Sequence, residues 1–379
     1  MMRDTPGDRQ LSSASDVLEA DLAYMIGALR EEFTEMSGSR LLITGGAGFL
    51  GYYLVQSVLH WNEAEPGRAI ELVVADNFIR GLPRWIARLE GRPGLELIRI
   101  DVRQPLPPGI RDFDYMIHAA GIASPHVYRA HPIETMDANV NGLRNLLDMS
   151  SKAMEGQRPA LGFLYYSSSE IYGDPDPTAI PTPETYRGYV SCTGPRACYD
   201  ESKRFGETLC VNFARVHGVP TRIARPFNNY GPGMKINDGR VPADFCRAVI
   251  EDRDIVMYSD GSPTRTFCYV ADAVTGYYKA LVRGRDGEPY NVGVEAPEVS
   301  VAEFGDLVVS LGSELFGYSG SVVRRVSGEE DYLTDNPSRR CPRIDKARTE
   351  LGYDPQVSLE EGIRRTLLWY ADNREPEGD

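Results

Sequence analysis

The chain is poor in the groups that build metal centres and disulfide frameworks. Its 379 residues include six cysteines and five histidines. Cys192, Cys198, Cys210, Cys246, Cys268 and Cys341 form no CxxC pair, and no histidine cluster stands beside them. Neither a metal site nor a disulfide scaffold is expected, and the cysteines read as buried free thiols. An excess of positive charge is also missing. Lys plus Arg number 41 against 55 Asp plus Glu, a formal net charge of −14. Such a surface repels nucleic acid and anionic membranes on average, yet leaves room for a local arginine patch around a small anion. No apolar run approaches the length of a membrane span. The first residues carry Asp4, Asp8 and Asp16 and no hydrophobic stretch, unlike a secretory leader. A cytoplasmic location is the expectation. There is no internal repeat and no low-complexity segment.

What is present is ordinary globular material, 42% hydrophobic and 25% charged. It suffices for two modest domains, or one large α/β unit with an added lobe. Residues 1–11 are polar, with a Pro-Gly pair, and read as frayed. Leu18, Leu22, Met25, Ile26, Leu29, Phe33 and Met36 then recur at three- and four-residue steps. That spacing predicts one amphipathic helix over 15–36, capped by Ser15 or Asp16, closed by Gly38 and docked on its own domain. From Arg40 onward, apolar runs at 41–44, 70–75, 95–100, 113–118 and 161–166 alternate with helical stretches. Another run, 221–226, follows a long helix starting near Tyr199. The alternation predicts a parallel sheet covered on both faces. Past about residue 230 the spacing turns irregular and richer in Pro and Gly. The expected division is an N-terminal extension over 1–38, a main domain over 39–230, and a smaller lobe over 231–379 that sends segments back to the sheet.

The first strand runs into Gly45-Gly46-Ala47-Gly48-Phe49-Leu50-Gly51 and then a helix. Gly45 permits a tight turn, Gly48 a close approach to a pyrophosphate, and Gly51 close packing of helix on strand. The phosphates would lie at the helix N-terminus, against unpaired N–H groups. This context makes the fold a doubly wound α/β sheet of Rossmann type and the ligand a dinucleotide. Asp76 ends the second strand, 25 residues past Gly51, where a carboxylate binds ribose hydroxyls and repels a 2′-phosphate. NAD is therefore favoured over NADP, with Arg80 nearby as the one opposing charge. Phe49, Leu50, Asn77, Ala119 and Ala120 are expected along the same cofactor surface. Asp101-Val102, after the third strand, either touches the adenine or, through Asp101, caps a turn.

Tyr199 and Lys203 stand four apart on a predicted helix and so share a face. A tyrosine at its usual pKa of about 10 is a poor base at neutral pH. A neighbouring ammonium would lower that value and let the phenolate take a proton from a sugar hydroxyl while hydride leaves for a nicotinamide. The preceding strand ends in Ser167-Ser168-Ser169, whose hydroxyls can hold the same substrate oxygen.

The strings TGGAGFLG, SSSEIYGDP, GPRACYDESKR and RPFNNYGPG, in this order, resemble the nucleotide-sugar epimerase/dehydratase branch of the extended short-chain dehydrogenases. GPRACYDESKR, INDGRV and SPTRTFCYV are most similar to UDP-glucuronate decarboxylases, and the resemblance spans roughly 40–370. It implies that Tyr199, Lys203 and Ser168 serve as base, pKa modifier and hydroxyl partner, with Ser169 beside them. It implies that Glu170 is the decarboxylases' motif carboxylate and that Arg265 lies near the substrate's carboxylate and phosphates. Asn228, Arg240, Tyr258 and Arg340 match positions that hold a uridine diphosphate, a ligand suited to arginine forks. Tyr128 matches a tyrosine on the sugar, and Asn139 an asparagine beside the active site. The implied reaction oxidises C4, loses CO₂ from the resulting β-keto acid and returns the hydride, recycling NAD. The implied assembly is a homodimer paired through two helices, one carrying Tyr199 and Lys203.

Three departures stand near the sugar end: Gly121-Ile122 for a frequent Ser-Pro, Cys268 for a glutamine, and extra proline-rich residues over 174–190. A 4,6-dehydratase of this branch carries Asp-Glu where this chain has Ser169-Glu170, so the acid for expelling water is missing. Besides the decarboxylase, two readings stay open: a 4-epimerase or other modifier of a related nucleotide sugar, and a catalytically silent NAD-binding scaffold.

Overall fold

Alternate side chains of the first two strands serve two different cores. In β1 (Arg40–Thr44), Leu41 and Ile43 enter one hydrophobic cluster and Leu42 the other; in β2 (Glu71–Asp76), Leu72 and Val74 oppose Val73 and Ala75. This two-residue period demands cover on both faces. The computed structural model, which describes residues 11–156, 158–325 and 337–374, provides it. The strands β3 (Leu95–Arg99), β4 (Tyr115–His118), β5 (Gly162–Tyr166), β6 (Thr221–Pro226) and β7 (Pro289–Val292) complete a seven-stranded sheet of order β7-β6-β5-β4-β1-β2-β3. All its pairings are parallel. Each of the six runs expected to be strands contains one.

One face is covered by α1 (Ala14–Ala28), α2 (Arg30–Glu35), α3 (Gly51–Ala64), α7 (Val270–Arg283) and α8 (Leu359–Asp372). The other is covered by α5 (Leu143–Met154) and α6 (Ala197–His217), with the short α4 (Pro132–Asp137) alongside.

The amphipathic stretch near the N-terminus is two helices rather than one. Leu29, at φ −112° and ψ 11°, breaks the spiral, and α2 turns onto α7 with Leu29, Phe33 and Met36 fully buried. Its cap is Ser13, whose hydroxyl accepts from the Asp16 N–H, and not Ser15 or Asp16. The helices dock on their own domain through buried charge. Asp21 pairs with Arg365 at 2.5 Å and accepts from the hydroxyls of Tyr53 and Tyr269. Glu32 meets Lys279 at 3.2 Å and Arg283 at 2.6 Å. The frayed start expected over 1–11 lies, apart from residue 11, outside the described residues.

Among the described residues no helix is long and apolar enough to cross a membrane, and no group of His, Cys, Asp or Glu could hold a metal. All six cysteines are free. Four are buried, but Cys192, before α6, is exposed, and Cys198, in the first turn of α6, is partly so.

Candidate active site

The strand order reverses beside β1, which leaves a crevice at the carboxyl ends of β1 and β4. The glycine turn fills its floor. Gly45 has φ +71°, and a Cβ there would stand 2.6 Å from Ala120 Cα and 2.8 Å from the Ala119 carbonyl carbon. On Gly51 a Cβ would lie 2.0 Å from the Gly46 oxygen. Gly46, which the motif spacing passes over, is equally constrained: its Cβ would meet Val74 Cγ1 at 2.6 Å. Backbone thus lies bare where a pyrophosphate must approach, and α3 points its N-terminus there. Asp76 accepts from the Phe78 N–H at 2.8 Å and the Ala47 N–H at 3.1 Å, tying the end of β2 to the turn. Burial raises its carboxyl pKa, and these N–H groups oppose the rise. Each oxygen keeps acceptor capacity for a ribose hydroxyl. The cradle fits a dinucleotide.

The flanking residues are placed as follows. Leu50 is the cap residue of α3, and Phe49 lies under the Arg240 guanidinium, 5.4 Å from the ring centre. Asn77 accepts from the Ile79 N–H at 3.0 Å. Arg80 approaches Asp238 at 4.0 Å. Val102 presses on Gly142, where a Cβ would be 2.7 Å away. Asp101 accepts from the Arg103 N–H at 3.1 Å and pairs with that guanidinium at 2.6 Å, so it does cap a turn.

Tyr199, Lys203 and Ser168 are brought together by α6 and the end of β5. The Tyr199 ring is buried and stacks on Tyr128, centroids 5.1 Å apart and planes 12° off parallel. Lys203 Nζ lies 5.7 Å from the Tyr199 ring centre and donates to the Tyr166 carbonyl at 2.8 Å. The expectation that the lysine simply lowers the phenol's pKa is not met in the cofactor-free chain. Burial pushes Tyr199 up, opposed first by its hydrogen bond with Ser168, and burial pulls Lys203 down to about 7. Desolvation penalises both charged forms, and the ammonium spends one donor on a carbonyl. Ser167 donates to Glu207 at 2.5 Å, and Ser168 and Ser169 are both buried.

Glu170 follows in the short helical turn capped by Ser168. Its two oxygens are taken by Arg196 and Arg340, both buried. Arg196 also reaches Asp200 at 3.6 Å. Arg196 is not among the residues expected from the sequence, although it precedes Tyr199 by three positions in the GPRACYDESKR stretch. Arg340 pairs in register with Arg265 across the parallel strands Arg339–Arg340 and Thr264–Thr266. Arg265 donates to the Pro337 carbonyl at 2.6 Å, and burial first, then the Arg196 charge, lowers its pKa to about 10. Two arginines therefore bracket one carboxylate, and Arg265 stands in register beside Arg340.

Tyr128 is fully buried, and its hydroxyl has no hydrogen-bond partner among the described residues. Asn139 donates to Ser202 at 2.9 Å, while its Oδ1 lies 2.8 Å from where a Cβ on Gly121 would be. Gly121 thus makes room beside Asn139 and Lys203. Asn228, at φ +43°, donates to the Thr266 carbonyl at 2.8 Å and steadies the Arg265 strand. Tyr258 follows the strand Ile255–Met257 and is 44% exposed.

With this geometry in place, comparison with known proteins is informative. The model of the NAD dependent epimerase/dehydratase family matches residues 41–293. The chain belongs to this family. Its relatives include UDP-glucuronic acid decarboxylase 3 of Arabidopsis thaliana, 39% identical over 324 residues, covering 86% of each chain. UDP-glucuronic acid decarboxylase 1 of Xenopus tropicalis is 35% identical over 374 residues, covering 96% of this chain and 82% of the relative. Among solved structures, the dTDP-glucose 4,6-dehydratase DesIV of Streptomyces venezuelae, with NAD and TYD bound, has a TM-score of 0.75 and 26% identity. That match covers 88% of this chain and 98% of the dehydratase.

Proposed function

We propose that this chain decarboxylates UDP-glucuronate to UDP-xylose through a 4-keto intermediate, with no net oxidation. The observation that carries the reading is the buried pair Ser168 and Tyr199 followed by the partly exposed Glu170, the single motif carboxylate. Two decarboxylase relatives at 35% and 39% identity support the substrate. Gly45, Gly48, Gly51 and Asp76 would hold NAD, which would supply the hydride acceptor.

The chain's own residues do the proton work. Ser168 and Tyr199 hold the C4 hydroxyl, and Tyr199 Oη takes its proton. Lys203 holds the phenol's surroundings positive when protonated, and Asn139 orients its helix against α6 through Ser202. Once C4 is a ketone, the C6 carboxylate is a β-keto acid and loses CO₂ without an acid on a leaving hydroxyl. The absence of the dehydratases' Asp at position 169 is consistent with this. Arg265 and Arg340 carry the substrate's negative charges, and Tyr128 stacks beneath Tyr199 as its support.

A homodimer is part of the reading, supported by exposed Phe205 and Val211 on α6 and by Ile133 and Met136 on α4. A cytoplasmic location is supported by the unpaired cysteines. The test is incubation with UDP-glucuronate and NAD, followed by detection of CO₂ and a pentose nucleotide. Formation of UDP-galacturonate without CO₂ would replace decarboxylation by 4-epimerisation.

A further inference from the structure

Glu170 cannot work as a free acid or base while both of its oxygens are held in ion pairs. Arg196 holds Oε2 and Arg340 holds Oε1. The two arginines differ in how they are anchored. Arg196 begins α6 and reaches Asp200 on the same helix at 3.6 Å, so it has a second carboxylate of its own. Arg340 has Glu170 as its ionic partner, and otherwise a long contact of 3.4 Å to the Gly173 carbonyl. Arg196 Nε also lacks a hydrogen-bond partner but faces Asp200 at 3.6 Å, whereas Arg340 Nε is buried with no hydrogen-bond partner among the described residues. The same holds for the adjacent Tyr128 hydroxyl, whose charge interaction with Arg340 marks them as neighbours. Buried donors left unused beside each other call for a further acceptor.

Under the function proposed above, that acceptor is the diphosphate of the substrate, a bidentate partner for a guanidinium. Glu170 and the diphosphate then compete for one cation. We propose that Glu170 is a stand-in anion on Arg340, displaced when the nucleotide diphosphate binds, so that the catalytic carboxylate is released only in the substrate complex. Arg196 keeps its hold throughout and acts as a positioning residue, aiming the released carboxylate at the sugar. An enzyme that oxidises C4 before its carboxylate is free would stall at the ketone. Tying the release to nucleotide binding prevents that order of events.

The competition has a measurable consequence. A site occupied by an internal anion binds an external one more weakly, by the fraction of time it stands open. Removing the internal charge must therefore tighten nucleotide binding, although it removes a group from the site. The experiment is a calorimetric titration of UDP into the full-length, NAD-loaded chain. Glu170→Gln is expected to bind UDP about fivefold or more tightly than the unsubstituted chain. In an Arg340→Gln background the same substitution is expected to change UDP affinity by less than about twofold, because the contested cation is gone. Glu298→Gln controls for overall charge, since Glu298 pairs with Arg339, one residue away, at 2.7 Å. It is expected to leave UDP affinity within about twofold of the original.

Unchanged or weaker UDP binding by Glu170→Gln overturns the proposal. Equal tightening by Glu298→Gln also overturns it, because a general field effect would then explain the gain. If Arg340→Gln fails to fold, the comparison of Glu170→Gln with Glu298→Gln still decides. Failure of the unsubstituted chain to bind UDP at all would remove the diphosphate reading itself, which is a different result from UDP binding that Glu170 does not affect.

Discussion

Tyr128 lies flat on Tyr199, ring centroids 5.1 Å apart and planes 12° from parallel, and this stack fixes where the phenol can point. Tyr128 comes from the short helix after β4 and Tyr199 from the first turns of α6. The contact therefore joins the cofactor crevice to the catalytic helix. Replacing Tyr199 with Phe keeps the stack and removes only the oxygen. Turnover is expected to fall by about 10²-fold or more. NAD binding, followed by calorimetry, is expected to change little. Near-normal turnover would remove Tyr199 from the role of base.

Lys203 illustrates the conflict between stability and chemistry at this site. Burial pulls its pKa from 10.5 to about 7. Between those values the unfolded chain holds the additional proton, so stability of the cofactor-free chain is expected to rise with pH from about 7 to about 10.4. Below pH 7 both states are charged, and the full cost of burying the ammonium is present. Lys203→Met is expected to flatten that rise and to increase Tm at pH 7 by about 2 °C or more. Activity is expected to be lost. Thermal melts across pH, with and without the substitution, check this.

Glu170→Gln separates the two halves of the proposed reaction. In the proposed reaction C4 oxidation relies on Tyr199, while Glu170 is assigned to the later loss of CO₂ and reprotonation. The variant is expected to slow CO₂ release by about 10²-fold. C4 oxidation, read as NADH absorbance in a single turnover, is expected to be less affected, so a 4-keto sugar accumulates. Equal slowing of both steps would leave Glu170 without a separate part.

Asp21 tests why the N-terminal helices belong to the catalytic unit. It is fully buried and joins α1 to Arg365 of α8, to Tyr53 of α3 and to Tyr269. Asp21→Ala leaves a buried guanidinium and two hydroxyls without that acceptor. Urea unfolding is expected to show a loss of about 3–5 kcal/mol. A loss below about 1 kcal/mol would show that the helices rest on apolar packing alone.

Features with a short sequence period were legible without coordinates. Leu41, Leu42 and Ile43 announce a strand buried on both faces, and Tyr199 and Lys203 announce a shared helical face. Gly45 and Gly51 are where backbone crowding requires them. Features made by distant segments were not legible. Nothing local links Glu170 to Arg196 or Arg340, which are 26 and 170 positions away. The break at Leu29 is invisible in a periodic pattern that both α1 and α2 satisfy. The Lys203 bond to the Tyr166 carbonyl depends on how β5 meets α6, and burial, which raises the phenol's pKa, follows from the same packing.

The central claim is that hydride leaves C4 of the sugar and returns to the same carbon within one binding event. It is tested most directly with UDP-glucuronate carrying deuterium at C4, turned over in ordinary water with catalytic NAD. A UDP-pentose that retains the deuterium at C4, with one solvent proton gained at C5, is expected. A pentose with hydrogen at C4, or no pentose at all, would contradict it.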